Sequence, residues 1–577
     1  MTDDETALPD GGDGDRSGGP REPDAAERLT ELRNQTGERW YENGFVYAVD
    51  VKSFRDSDGD GVGDFPGLTD RLEYLDRLGV TCLWLLPFYP SPDRDNGYDV
   101  ADYYGVDERL GTPGDFVRFV REAHQRGIRV LVDLVVNHTS DRHPWFRRAR
   151  EDPDSKYRDY YVWSEDPPEP EKEPIFPEED SVWTYDEAAD AYYYHRFYGF
   201  EPGLDHSNPD VREEVCEIMD YWLALGVDGF RLDATPILIQ KKGLASTEMD
   251  HPHRALKEYR AFVSERDPDA IFLGEAGGAP DDVRPYFGDG TGDEMQLIFG
   301  FALTDYIFLA LATGRTAELG DAFDQIHLPP ANGQWANFLR NLDELNLEWL
   351  SESERETVLD RFAPEDDMQI YGRGSRRRLA PMLGDRDLLE LAYSLLFSLP
   401  GTPTIPYGDE IGMGDELSLS GRDAVRTPMQ WTADETAGFS SADPDELVRP
   451  VVSDPEYAPD RVNVRDQRND PDSFLQWFTR AVRTRREHSA FGRGSATVLE
   501  TDHESVLCHR LDGREGERVL AAHNLADEPA TVSVDAAGEE PVRIFGDGRS
   551  EFAGADPLEV DLAEHGYLWL RTGETGP

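Results

Sequence analysis

Eight short apolar runs, regularly parted by helical stretches, limit the folds open to this chain more than any other feature. They are "FVYAVDV" (45–51), "TCLWLLPF" (81–88), "IRVLVDLVV" (128–136), "GFRLDAT" (229–235), "IFLGEA" (271–276), "MQLIFGF" (295–301), "WANFLRN" (335–341) and "TPTIPYG" (402–408). Between them lie amphipathic stretches such as "TDRLEYLDRLG" and "PGDFVRFVREAHQRG", the latter closed by a glycine placed to cap a helix. Continuous apolar strands alternating with helices predict an α/β chain, and eight of them predict a (β/α)8 barrel. In that architecture chemistry gathers where the strands end on one face of the barrel.

Two stretches break the rhythm. A segment rich in Pro, Glu and Tyr, including "SEDPPEPEKEPIFPEEDSVWTYDEAADAYYYHRFYGF", parts the third strand from the fourth. It is too long for a plain loop and predicts a small excursion domain over the barrel mouth, residues 139–205. After the seventh strand, "EWLSESERETVLDRFAP" predicts added helices. The barrel itself is expected over 39–138 and 206–490. From 491 to 577 short alternating strands between turns predict a C-terminal antiparallel β-sandwich. Residues 1–38 are acidic and Gly/Pro-rich without an apolar core for a signal peptide, so a disordered leader is expected.

Charge excludes several partners. Against 118 acidic residues stand 58 basic ones, a formal net charge of −60 over 577 residues. Such a field repels nucleic acid and anionic lipid, and it makes phosphorylated substrates harder to attract. No apolar run reaches membrane-spanning length, so neither a nucleic-acid nor a membrane partner is expected, and a cytoplasmic location is. Lysine is confined to Lys52, Lys156, Lys172, Lys241, Lys242 and Lys257. An acidic, lysine-poor surface suits molar salt, where the Debye length falls to ~3 Å and self-repulsion is screened; a halophilic source is therefore expected. Cys82, Cys216 and Cys508 lie far apart in apolar contexts and are read as buried thiols.

The loop "DSDGDGVGDFPG" offers carboxylates from Asp56, Asp58 and Asp60 at alternate positions, a backbone carbonyl from Val62, and Asp64 beyond it. Hard oxygen donors at this spacing point to one Ca2+. An EF-hand is excluded, because its twelfth position needs a bidentate Glu and this chain has Gly67, and because the preceding stretch reads as a strand. The ion is expected to be structural.

Several strands end in polar residues. The third carries Asp133, Asn137 and His138, the fourth Arg231 and Asp233, the fifth Glu275, and the seventh is followed by Asp343. Acids from three strands converging on one barrel face are the equipment of retaining glycoside chemistry, in which two carboxylates flank one bond at ~5–5.5 Å.

These segments resemble the signature regions of the α-amylase family (glycoside hydrolase family 13): "DLVVNH", "GFRLDA", "FLGEA", the Asp of "RNLDE" and "GTPTIPYGDEIGMGD". Longer stretches, "WLLPFYPSPDRDNGYDVADYYGV", "DPDSKYRDYYVWS" and "VRTPMQW" among them, resemble its trehalose synthases and related α-glucosidases. The resemblance implies an enzyme acting on a small α-glucoside such as maltose or a malto-oligosaccharide. It implies Asp233 as nucleophile forming a β-glucosyl-enzyme, Glu275 as acid/base and Asp343 as the acid gripping sugar hydroxyls. Arg231 would keep Asp233 ionised, Tyr98 would form the platform under the reacting glucose, and His138 would donate to its O6. Asp95 paired with Arg426 would close the pocket beyond. In resembling α-glucosidases a loop like 56–64 holds one calcium. Isomerisation of maltose to trehalose is the leading expectation, hydrolysis the alternative, and a non-catalytic glucan-binding or partner-binding barrel a remote one. Two positions depart from the family: Leu342 stands where a histidine is usual, and Pro406 stands in the eighth strand. Oligomeric state is not legible.

Overall fold

The computed structural model describes residues 39–168, 172–240, 242, 244, 249, 251–288, 292–326, 333–513, 516–535, 541–555 and 557–572. The expected leader, 1–38, lies outside the described residues.

All eight apolar runs form strands: β1 (Val46–Val49), β2 (Cys82–Leu85), β3 (Arg129–Leu134), β4 (Gly229–Leu232), β5 (Ile271–Gly274), β6 (Leu297–Phe299), β7 (Gln334–Asn337) and β8 (Thr402–Pro406). They close into a parallel barrel in sequence order, with β8 returning to β1. Val46 of β1 sits in register with Cys82 on one side and Thr404 on the other. Nearly every strand residue is buried, which is why these segments read as continuous apolar runs rather than alternating ones. Strands are shorter than the runs at their C-terminal ends, because the polar residues there leave the ladder.

Local sequence sets the helices between them. Thr112 and Asp115 form a reciprocal capping box at the start of Pro113–His124, and Ser351 and Glu354 do the same for Glu352–Phe362, one of the helices expected after β7. Gly79, with φ +99°, ends Leu72–Leu78 in a left-handed cap. Pro406 is the last residue of β8, and the amide that continues the ladder to Ala48 belongs to Tyr407. A proline is tolerated at that strand end.

Between β3 and β4 a three-stranded antiparallel sheet (Trp163–Ser164, Trp183–Asp186, Ala191–Tyr194) stands apart from the barrel. After Gly494 come two antiparallel sheets. The larger orders Ser495–Leu499, Val506–Asp512, Arg518–Asn524, Tyr567–Arg571 and Val542–Gly546; the smaller holds Ala530–Val534, Leu558–Leu562 and Glu551–Ala553. The central strands of the larger sheet are buried on both faces. Val506, Cys508, Leu520, Leu568 and Leu570 pack against the small sheet, while Leu507, Val519, Tyr567 and Trp569 join the barrel core. Trp569 donates to Ser394 and Tyr567 to Glu390, both on helix Arg386–Ser398, fixing the sandwich to the barrel. Cys82 and Cys508 are buried thiols as expected, but Cys216 is half-buried, since it lies on the flank of a helix whose core face is Val215, Ile218 and Met219.

Candidate active site

At the C-terminal ends of the strands opens a cleft of about 600 Å3. Asp95, Tyr98, His138, Asp233, Glu275 and Asp343 all line it, joining six positions proposed from sequence in one space. Residues of the excursion form its other wall: Phe176 and Phe197 face inward, and Phe176 meets Tyr371 at 5.3 Å and the Arg422 guanidinium at 5.4 Å.

Arg231 is the centre of the charge arrangement. It is the third residue of β4, and alternation along the strand puts Asp233 on its own face. Its Nη1 donates to Asp133 (2.8 Å) and Asp233 (2.5 Å), and its Nη2 to Glu275 (2.7 Å). One buried guanidinium thus faces three carboxylates from β3, β4 and β5. Burial raises Asp133 and Asp233 above the usual carboxylate range, against the pull of Arg231 and with the acids repelling one another. Glu275 is pushed up to about 7, by burial first, with Arg231 opposing and Asp233 and Asp343 adding repulsion. The Ala234 amide also donates to Glu275 (2.9 Å), and Ala234 has φ +41°, a left-handed conformation that is strained for a residue with a Cβ. That strained turn ties the acid after β5 to the acid after β4.

Asp343 has different company. Arg426 donates to it at 2.6 Å and Arg422 lies 3.2 Å away. Burial alone would raise its pKa, but Arg422, Arg426 and Arg231 together hold it below the usual value. The expected pairing of Arg426 with Asp95 is not formed: Arg426 is buried behind the cleft, spent on Asp343 and on the Leu342 carbonyl (2.7 Å). Arg422, which sequence reading passed over, reaches the cleft instead and also donates to Glu344 at 2.7 Å. Its place four residues before Arg426, in the same "GRDAVR" turn, was the only signal available. The Leu342 side chain is buried among core residues, while Asn341 and Asp343 on either side line the cleft.

Tyr98 donates to Asp133 (3.1 Å), which fixes its ring at the cleft floor. His138 donates from Nε2 to the Tyr98 carbonyl (3.2 Å), and burial lowers it to about 4, so the ring is neutral with its Nδ1 unpartnered. Glu201, also missed from sequence, is fully buried 3.7 Å from His138.

In the acidic loop, oxygens of Asp56, Asp58 and Asp64 lie within 4.8 Å of one another. Asp60 does not join them; its carboxylate instead accepts from the Val62 amide at 2.8 Å, closing its own turn. Gly61, with φ +88°, is pressed against the Glu446 carbonyl, where no Cβ fits, so a glycine is required for the loop to seat on the chain before Val448.

A family model, "Alpha amylase, catalytic domain", matches residues 46–494. The chain belongs to the α-amylase family. Among relatives of this α-amylase family member, the trehalose synthase of Pimelobacter sp. (strain R48) is 42% identical over 92% of this chain and 96% of its own length. The "Trehalose synthase/amylase TreS" of Mycobacterium tuberculosis (strain ATCC 25618 / H37Rv) is 42% identical over 93% and 91%. Among solved structures, the trehalulose synthase MutB of Pseudomonas mesoacidophila MX-45 superposes with a TM-score of 0.76 at 26% identity, covering 93% of this chain and all of that one. This family member is therefore an enzyme of glycoside hydrolysis or transfer. Among the described residues no helix is long and apolar enough to cross a membrane.

Proposed function

We propose that the chain is a retaining α-glucosyl-transferring enzyme that converts maltose to trehalose. The observation that carries this reading is the single guanidinium of Arg231, which holds Asp233 on one arm and Glu275 on the other. Two carboxylates bridged so closely suit the short span of retaining chemistry rather than the wider one that admits a water between them. Asp233 attacks the anomeric carbon and forms the β-glucosyl ester. Glu275, the acid pushed up to about 7, holds its proton at neutral pH and delivers it to the departing sugar oxygen. Asp343, kept ionised by its arginines, takes sugar hydroxyls, with Tyr98 beneath the ring and neutral His138 at its edge. Trehalose forms when the released glucose turns and attacks the ester through its anomeric hydroxyl, with Glu275 now taking the proton. That requires a cleft that retains glucose, and the meeting of Phe176 with Tyr371 and Arg422 across the mouth supports it. Relatives named as trehalose synthases support trehalose as the product.

Incubation with maltose separates this reading from hydrolysis: trehalose as the main product supports it, and glucose alone sinks it. Position 342 is expected to slow either reaction, because a buried leucine stands where the family's usual histidine would donate to the reacting sugar. By analogy with removing one preorganised donor, the deficit is about 2–4 kcal/mol.

We also infer that Asp56, Asp58 and Asp64 hold a structural calcium ion. The donor set fits: three converging hard oxygens, two of the carboxylates buried. The ion would stiffen the connection between β1 and β2.

A further inference from the structure

A second cavity, of about 420 Å3, shares no lining residue with the cleft. It lies between the start of helix Leu72–Leu78 and helix Val464–Asn469, and Arg71, Arg465 and Arg468 line it with Tyr74, Trp431 and Asn469. No carboxylate lines it, in a chain where acids outnumber bases 118 to 58. The Arg71 guanidinium lies 4.4 Å over the Trp431 ring, and its buried Nε has no hydrogen-bond partner. Among the described residues, none of the three guanidiniums takes a carboxylate or a carbonyl, and what sets them apart is that all three line one cavity. Arg71 is lowered by burial and further by Arg55 and Arg468, with Asp70 the one acid offsetting them. The nearby Glu410 is fully buried and already accepts from Tyr74 (2.6 Å) and Tyr47 (2.8 Å).

Arg71 is held half-buried against Trp431, while Arg465 and Arg468 are exposed at the rim, where their unengaged forks can close on an anion. The whole-molecule field of −60 repels anions at range, so the contact must be short and specific. We propose that this pocket binds a phosphomonoester of a small sugar. Guanidinium forks match phosphate oxygens two at a time. The volume has room for on the order of a dozen waters, more than a bare phosphate fills. Trp431, Tyr74 and Asn469 provide an aromatic and amide wall for the remainder of the ligand.

Titration calorimetry on the full chain at fixed ionic strength tests this, with inorganic phosphate, glucose 6-phosphate and malonate as probes. The expected result is saturable binding of glucose 6-phosphate, tighter than either other anion. Arg465→Gln with Arg468→Gln, both outside the cleft, is expected to weaken it at least tenfold while turnover of maltose stays unchanged. Arg71→Gln is expected to weaken it as well, and the first double variant keeps the test valid if loss of the Trp431 stack impairs folding. Absence of saturable binding, equal affinity in the double variant, or malonate or inorganic phosphate binding as tightly as the ester would each overturn the proposal.

Discussion

Two clusters of carboxylates, a few residues from β1 in one case and around the ends of β3, β4, β5 and β7 in the other, solve the same problem differently. At the barrel mouth the chain brings its own cations: Arg231 serves Asp133, Asp233 and Glu275, and Arg422 and Arg426 serve Asp343. In the acidic loop the described donors are neutral. Asp56 accepts from the amides of Asp58, Gly59 and Gly61 and from Ser440, and Asp64 from Ser57 and Gly67. Covalently fixed cations can be unequal in number to the acids, and the shortfall leaves one acid protonated near neutrality. Neutral donors cannot cancel charge, and the repulsion calls for a cation from outside. On the reading proposed above, one cluster serves proton transfer and the other a metal ion.

This contrast breaks most readily at Glu275. Glu275→Gln is expected to cut maltose turnover at least a thousandfold, about 4 kcal/mol of transition-state stabilisation, while the melting temperature stays near that of the parent. Retained turnover would remove Glu275 from the chemistry. Arg231→Met leaves three buried acids without their cation and is expected to cost about 3–5 kcal/mol in denaturant unfolding. The corresponding change in the loop, Asp64→Asn, is expected to cost less in the presence of calcium and almost nothing in its absence. Calcium at a hundredfold over its Kd should add about 2.7 kcal/mol, seen as a fall in melting temperature on chelation; an unchanged melting temperature would dispose of the metal site.

The pH dependence sharpens the comparison further. The acid role needs protonated Glu275, so kcat/KM should be full below pH about 7 on this limb and fall as pH rises through it, tenfold per unit at most. Chelation should leave that limb in place, because the loop supplies no group to the chemistry; a shift of a full unit would show the two clusters to be coupled. Leu342→His is the mildest test. It restores a donor beside Asp343 and should raise turnover, whereas no change or a fall would show a site rebuilt around leucine. Transfer to low salt tests the surface as a whole: unaltered folding and activity there would dismiss adaptation of the −60 surface to high salt.

The barrel was legible because its signal is periodic and local. Each strand is buried on both faces and bounded by residues that cap helices or break ladders, so burial, sequence and element coincide. The acids at the strand ends were legible for a related reason: a strand places residues two apart on one face, and Arg231 and Asp233 could be assigned to the same side before any fold was known. Partner choice was not. Arg426 selects Asp343, 83 positions away, over Asp95, and Arg422 enters the cleft only because the loop after β8 meets the excursion there. Asp60 falls outside the acidic cluster through a turn bond to the Val62 amide that competes with convergence. The three unpaired arginines, at 71, 465 and 468, give no sign of one another along the chain. Sequence determined which residues could carry charge at the barrel mouth and in the loop. Tertiary structure decided which charges meet, because Coulomb energy depends on separation in space, and only closure of the barrel sets that separation.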